Sequence, residues 1–142
     1  MRVVADTNVI VSMLLWGKSL EPLFDLVNRK RVVLCFSAET VDELFRVIAY
    51  PHIAKQAEKL GIPIEELLDK LLSASHIEVP YERLAIVEGD ESDNRILEVA
   101  LAARANCVIS GDRHLLKLKS FQSIPMYSPT EFLREYRKFM VR

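Results

Sequence analysis

Three aspartates stand where a carboxylate can do chemistry. Asp6 directly follows the apolar run Val3-Val4-Ala5, Asp112 follows Cys107-Val108-Ile109-Ser110-Gly111, and Asp93 lies in Gly89-Asp90-Glu91-Ser92-Asp93-Asn94-Arg95. Taken singly, Asp6 and Asp112 read equally well as helix caps, since Asp is a preferred residue at a helix N-terminus. Asp93 is different. Its helical spacing to Ile96, Leu97 and Ala100 turns it toward the face that packs on a sheet. A carboxylate there is costly unless it is paired or bound to a cation. Capping suits Asp90 or Ser92 better, and Glu91 merely favours the helix dipole. Carboxylates gathered within a few ångströms repel one another and take up protons unless a cation neutralises them. An oxygen-only set without a His or Cys group suits Mg²⁺ or Mn²⁺ rather than zinc. Mg²⁺ keeps several waters and binds phosphate through its remaining positions, so the chemistry indicated is hydrolysis of a phosphodiester by a metal-activated water.

Such a cluster needs elements that bring distant acids together. Four short, β-branched apolar runs, Arg2–Ala5, Val32–Phe36, Cys107–Ser110 and Ile124–Tyr127, read as strands, with His76–Val79 a weaker one stopped by Pro80. They are apolar throughout rather than alternating, as strands covered on both faces are. Helical spacing marks Val9–Leu15, Leu20–Asn28, Thr40–Ala49, Ile64–Ser73, Ser92–Arg104 and Thr130–Phe139. Strand and helix alternate, which predicts an α/β fold with right-handed crossovers. Residues 51–75 hold helices without a strand and read as a helical insertion beside the sheet, broken at Gly61-Ile62-Pro63. In an open parallel sheet, ligands bind beyond the carboxyl ends of the strands, where Asp6 and Asp112 stand.

Composition narrows the rest. A chain of 142 residues with 50% apolar content fits one domain with one continuous core. Its 19 basic and 20 acidic residues nearly balance, which excludes a polyanion-coating protein and points to local binding. Cys35 and Cys107 sit inside apolar runs and read as reduced, buried hydrophobes; a disulfide between them requires neighbouring strands. The N-terminus is interrupted by charge too soon for a signal peptide, and no run approaches the roughly 20 apolar residues of a membrane span, so the expectation is a cytoplasmic protein with no membrane partner.

A further acid is sought in Ser37-Ala38-Glu39-Thr40-Val41-Asp42-Glu43-Leu44. Thr40 and Glu43 have capping-box spacing, and the stripe of Val41, Leu44, Phe45 and Ile48 does not centre on Glu43, so periodicity leaves Glu39, Asp42 and Glu43 open. The order of motifs decides more. Asp6-Thr7-Asn8-Val9, Ser37 with Glu43-Leu44, Asp93-Asn94-Arg95-Ile96-Leu97 leading to Ala100, and Ser110-Gly111-Asp112-Arg113-His114-Leu115-Leu116 together resemble the PIN-domain nucleases over nearly the whole chain. The likeness is greatest to the single-domain group described as toxins of toxin–antitoxin pairs.

That resemblance implies a three-layer α/β/α fold with a central parallel sheet of four to five strands. It also implies Asp6, Glu43, Asp93 and Asp112 as the acidic metal-binding and catalytic quartet, which selects Glu43 over its neighbours. Asn8 and Ser110 are implied as polar residues orienting the metal ligands, with Ser110 standing where the family often has Thr. Asp90 and Arg113 are additional site candidates. His114 stands where relatives often carry another acid; it reads as an exposed residue on the following helix rather than as a ligand. The function implied is an Mg²⁺- or Mn²⁺-dependent endoribonuclease with an RNA substrate, a cognate antitoxin protein and a homodimeric state.

Cationic surface to receive phosphates is available at Arg29-Lys30-Arg31, at Lys117 and Lys119, and at Arg134, Arg137, Lys138 and Arg142. The first and third groups read more simply as solvated helix ends, and Arg95 and Arg113 are better placed. Trp16 reads as packing and is assigned no role. Two competitors remain: a PIN-like binding module without activity, and a receiver-type phosphoryl-transfer protein with Asp6 as the phosphorylated residue. Against the latter, Asn8 replaces the second acid of an Asp-x-Asp motif, and no late Lys matches.

Overall fold

The computed structural model describes residues 1–15, 21–88 and 90–141, so the expectation for Trp16 and the start of the Leu20–Asn28 helix lie outside the described residues. Six strands form one sheet: β1 (Arg2–Ala5), β2 (Val33–Phe36), β3 (His76–Ile77), β4 (Cys107–Ile109), β5 (Ser120–Phe121) and β6 (Ile124–Tyr127), in the order β3-β2-β1-β4-β6-β5. All pairings are parallel except β5 with β6. The five parallel strands meet the sequence expectation. The antiparallel β5 has only two residues, too few for a side-chain period to show.

Register then sorts the core. Val3 lies beside Leu34 and Cys107, and Val4 beside Val108. Side chains alternate across a strand, so Val3, Leu34 and Cys107 enter one apolar cluster, and Val4, Cys35 and Val108 enter the other. The first cluster is closed by α1 (Thr7–Leu15), α2 (Glu21–Asn28), α3 (Ala38–Ile48), α5 (Ile64–Ser73) and α8 (Pro129–Val141), through buried residues such as Ile10, Leu23, Leu44, Leu68 and Phe132. The second is closed by α6 (Glu91–Ala103) and the short α7 (Arg113–Leu116), through Ile96, Leu97, Ala100 and Leu115. The result is three layers, α/β/α. Residues 51–75 contain α4 (Pro51–Ala57), a 3₁₀ turn over Glu58–Leu60, and α5, without a strand, as the spacing predicts. Among the described residues, no helix is long and apolar enough to cross a membrane.

One local expectation is corrected. Helix α3 begins at Ala38, two residues before the predicted start, because Ser37 is the N-cap. The capping box joins Ser37 and Thr40, whose hydroxyl accepts the Ser37 N–H at 2.9 Å while the Thr40 N–H donates to Ser37 Oγ at 3.2 Å. Glu43 is therefore released from capping.

Cys35 and Cys107 are both free, lie on strands separated by β1, and face opposite layers. Burial pushes the Cys107 thiol up to about 12, and Cys35 is raised by the same cause. A thiol reagent is expected to label neither cysteine in the folded protein and both after denaturation, and dithiothreitol is expected to leave the unfolding midpoint unchanged. A midpoint lowered by reduction would overturn this register.

Candidate metal centre

The strand order reverses between β1 and β4: from β1 the sheet grows through β2 to β3, and from β4 through β6 to β5. A crevice opens beyond the carboxyl ends of strands at such a point. Asp6 is the residue after β1, and Ser110 to Asp112 follow β4. The Asp6 N–H still donates to the Ile109 carbonyl at 3.0 Å, so the sheet ladder fixes both backbones until the acids begin.

Asp6 is buried, 7% exposed. The Val9 N–H donates to its Oδ1 at 2.9 Å, and Ser110 Oγ donates to its Oδ2. It thus caps α1 as the bland sequence reading has it, and faces the crevice as well. Ser110, fully buried, also accepts the Asp112 N–H at 2.9 Å, so one hydroxyl couples the two acids. Asp112 in turn accepts the His114 N–H at 2.7 Å and caps α7.

The other two acids arrive on helices. Asp90 caps α6 by accepting the Asp93 N–H at 3.2 Å, which sets Asp93 in the first turn, turned inward and 5% exposed. Glu43 comes from the middle of α3. Thr7 Oγ1 donates to its Oε2 at 2.6 Å and Ser92 Oγ to its Oε1 at 2.7 Å, so the starts of α1 and α6 hold it from both sides.

These groups line one cleft of about 180 Å³ containing Asp6, Glu43, Asp90, Asp93 and Asp112 and no Lys or Arg among its lining residues. All four acids of the predicted quartet meet there, with Asp90 as a fifth. The consequence is electrostatic. Burial first, then the Asp90 and Asp112 charges, push the Asp93 carboxyl up to about 8. Asp6 is also raised, chiefly by burial, although Ser110 and the Val9 and Gly111 amides oppose the shift. Asp93 Oδ2 is buried with no hydrogen-bond partner among the described residues. A buried carboxylate oxygen left unpaired amid four other acids is the donor a hard divalent cation takes up, so the residues present fit Mg²⁺ or Mn²⁺.

Other expectations fare differently. Asn8 lines the cleft but is exposed, and its side chain has no hydrogen bond among the described residues; Thr7 beside it holds Glu43. Arg113 is exposed beside Asp112. Arg95 is drawn inward instead: its side chain is 12% exposed, lies 3.0 Å from Glu98 Oε2 and donates to the Leu84 carbonyl. Asn94 and Glu98, given no role by the sequence argument, secure the segment leading to Asp90. Asn94 accepts the Val87 N–H at 2.7 Å and donates to the Val87 carbonyl at 2.9 Å, while Glu98 accepts the Leu84 N–H at 2.7 Å. Both are buried polar residues on the same helix, and helical spacing alone does not separate such positions from solvent-facing ones.

Residues 2–114 match the sequence model of a PIN domain. The chain belongs to the PIN-domain family. PIN domains are generally nucleases. No curated protein matches the chain in sequence. Among solved structures, a chain of VapBC2 from Rickettsia felis, bound to a DNA fragment from their promoter, is similar with a TM-score of 0.57 and 17% identity, covering 90% of this chain and 98% of that one. At that identity the likeness supports the PIN fold and nothing finer. A receiver-type role for Asp6 lacks a lysine among the described lining residues of the cleft.

The raised Asp93 carboxyl has a stability consequence in metal-free protein. Its folded value of about 8 exceeds the ordinary 3.8, so the folded state holds a proton that the unfolded state has released between those limits. Stability attributable to this group is full below pH 3.8 and is lost as pH rises through about 8. Asp93→Asn is therefore expected to match the wild type near pH 4 and to be more stable at pH 8 by about 1–3 kcal/mol, the usual cost of a buried polar group left unsatisfied. Denaturant melts in EDTA at both pH values check this; a variant less stable at pH 8 would contradict it.

Proposed function

We propose that this PIN domain is an Mg²⁺- or Mn²⁺-dependent endoribonuclease acting as one nuclease domain over residues 1–142. The carrying observation is the convergence of Asp6, Glu43, Asp93 and Asp112 on one cleft with no Lys or Arg among its described lining residues. Asp6, Asp93 and Asp112 are the metal ligands, with Glu43 completing the set. Held by these carboxylates, a divalent ion would supply Lewis acidity to activate a water and positive charge to offset that of the phosphodiester.

The chain's own groups do the rest. Ser110 keeps Asp6 and Asp112 in fixed relative orientation through one hydroxyl. Thr7 and Ser92 occupy one lobe each of the Glu43 carboxylate and hold it at the cleft. Asp93, whose carboxyl burial and the neighbouring acids raise to about 8, would have to give up its proton to hold a cation, so ion binding would release protons. Exposed Arg113, beside Asp112, is the cation best situated to meet a substrate phosphate.

RNA as the substrate rests on the family resemblance, as does the assignment to the toxin of a toxin–antitoxin pair. The second is supported by the similarity to a chain of VapBC2. On this reading an antitoxin segment blocks the acidic cleft, the chain works in the cytoplasm, and two copies associate through helices of the N-terminal half.

Cleavage of mixed RNA is the test. Wild-type protein with Mg²⁺ or Mn²⁺ is expected to cut internal phosphodiesters, EDTA to abolish cutting, and Asp6→Asn or Asp93→Asn each to lower the rate by at least about 100-fold, the scale of losing a group that stabilises transition-state charge. Equal rates in EDTA would overturn the mechanism. Metal-independent RNA binding with no cleavage, unchanged by Asp6→Asn, would favour the binding-module reading.

A further inference from the structure

The quartet does not exhaust the ligands at the cleft. On its β4 side, Asp90, Asp93, Asp112 and His114 each offer an atom within 4.8 Å of every other. His114 follows Asp112 by two residues in α7, and its backbone N–H donates to Asp112 Oδ1, which keeps the two residues side by side. Its Nδ1 lies 3.5 Å from Asp112 Oδ1 and 3.9 Å from Asp90 Oδ2. Those separations are long for hydrogen bonds. They match the spacing of donors around a common ion, since bonds of about 2.1 Å in octahedral geometry set ligand atoms about 3 to 4.2 Å apart.

A cluster of acids alone carries no such argument. The independent observation is Asp93, 5% exposed, whose Oδ2 has no hydrogen-bond partner among the described residues. Burying that oxygen among acids is costly, and a bound cation is the partner that removes the cost. The imidazole is 59% exposed, so its ring nitrogen is open to a ligand entering from solvent.

We propose that His114 is a metal ligand, making with Asp90, Asp93 and Asp112 a mixed nitrogen–oxygen position that selects Mn²⁺ over Mg²⁺. The inference rests on the metal reading above and refines it. Mg²⁺ holds strictly to oxygen donors and surrenders its waters reluctantly, whereas first-row transition ions accept an imidazole in place of water. Neutral imidazole also adds a donor without adding to the negative charge already crowded in the cleft. An acid at the same place would raise affinity for both ions and distinguish them less.

The experiment is electron spin-echo spectroscopy of Mn²⁺ bound to the full chain, with affinities measured in parallel by calorimetric titration of Mn²⁺ and of Mg²⁺. Wild type is expected to show nitrogen coupling from one imidazole and to bind Mn²⁺ more tightly than Mg²⁺. In His114→Ala the coupling is expected to vanish and Mn²⁺ affinity to fall at least about tenfold while Mg²⁺ affinity changes little. His114→Asp, an isosterically smaller oxygen donor, is expected to restore Mn²⁺ affinity without nitrogen coupling and to narrow the gap between the two ions. Mn²⁺ bound without nitrogen coupling, or coupling that survives His114→Ala and so arises from His52 or His76, would overturn the role of His114 while leaving the acidic site standing. Failure of wild type to bind either ion would overturn the metal site itself.

Discussion

Charge repulsion inside a poorly solvated cleft is the constraint around which this structure is organised. Five carboxylates line one hollow, and the most buried of them, Asp93, keeps an oxygen with no protein partner. Left to themselves such groups take up protons, as the position of Asp93 near 8 reflects. The fold holds them together nonetheless. The β1–β4 ladder brings Asp6 and Ser110 side by side, the Asp90 cap fixes Asp93, and two hydroxyls from different helices clamp Glu43. Asp6, Asp90, Asp112 and Glu43 each accept hydrogen bonds that begin a helix or join two elements. Capping by Asp6, Asp90 and Asp112 is thus compatible with the ligand role proposed for the cleft.

Much of this was legible in the sequence because the signals were strong and redundant. Apolar runs located four of the five parallel strands, His76–Val79 marked the fifth more weakly, and helical spacing turned Asp93 inward, where it is found. Strand ends pointed to Asp6 and Asp112. Glu43 was not legible from periodicity, because Thr40 three residues before it imitates a capping box. The true box lies one turn earlier, between Ser37 and Thr40, and only the family pattern chose Glu43. The roles of Thr7, Ser92, Asn94 and Glu98 were hidden for another reason. Each depends on which hydroxyl, amide or carboxylate meets which partner across 7 to 49 positions of chain, and spacing within one helix carries no information about that. Arg95 shows the converse error: proximity in sequence to an acid suggested a phosphate contact, yet the guanidinium serves a buried carboxylate and a backbone carbonyl.

The polar face of α6 links fold to site. Asn94 and Glu98 tie the segment at Leu84 and Val87 to the helix, and that segment runs into Asp90. The placement of Asp90 and Asp93 is thereby tied to packing beneath the cleft, since a loosened strap would let the Asp90 cap, and Asp93 with it, move away from Asp6 and Asp112.

The central claim is spatial: these oxygens share one cation. Anomalous diffraction at the manganese edge from crystals of the protein soaked in Mn²⁺ tests it most directly. The account predicts a peak enclosed by Asp6, Asp93 and Asp112 at bonding distance. Peaks confined to other surfaces, with those three side chains turned from one another, would contradict it.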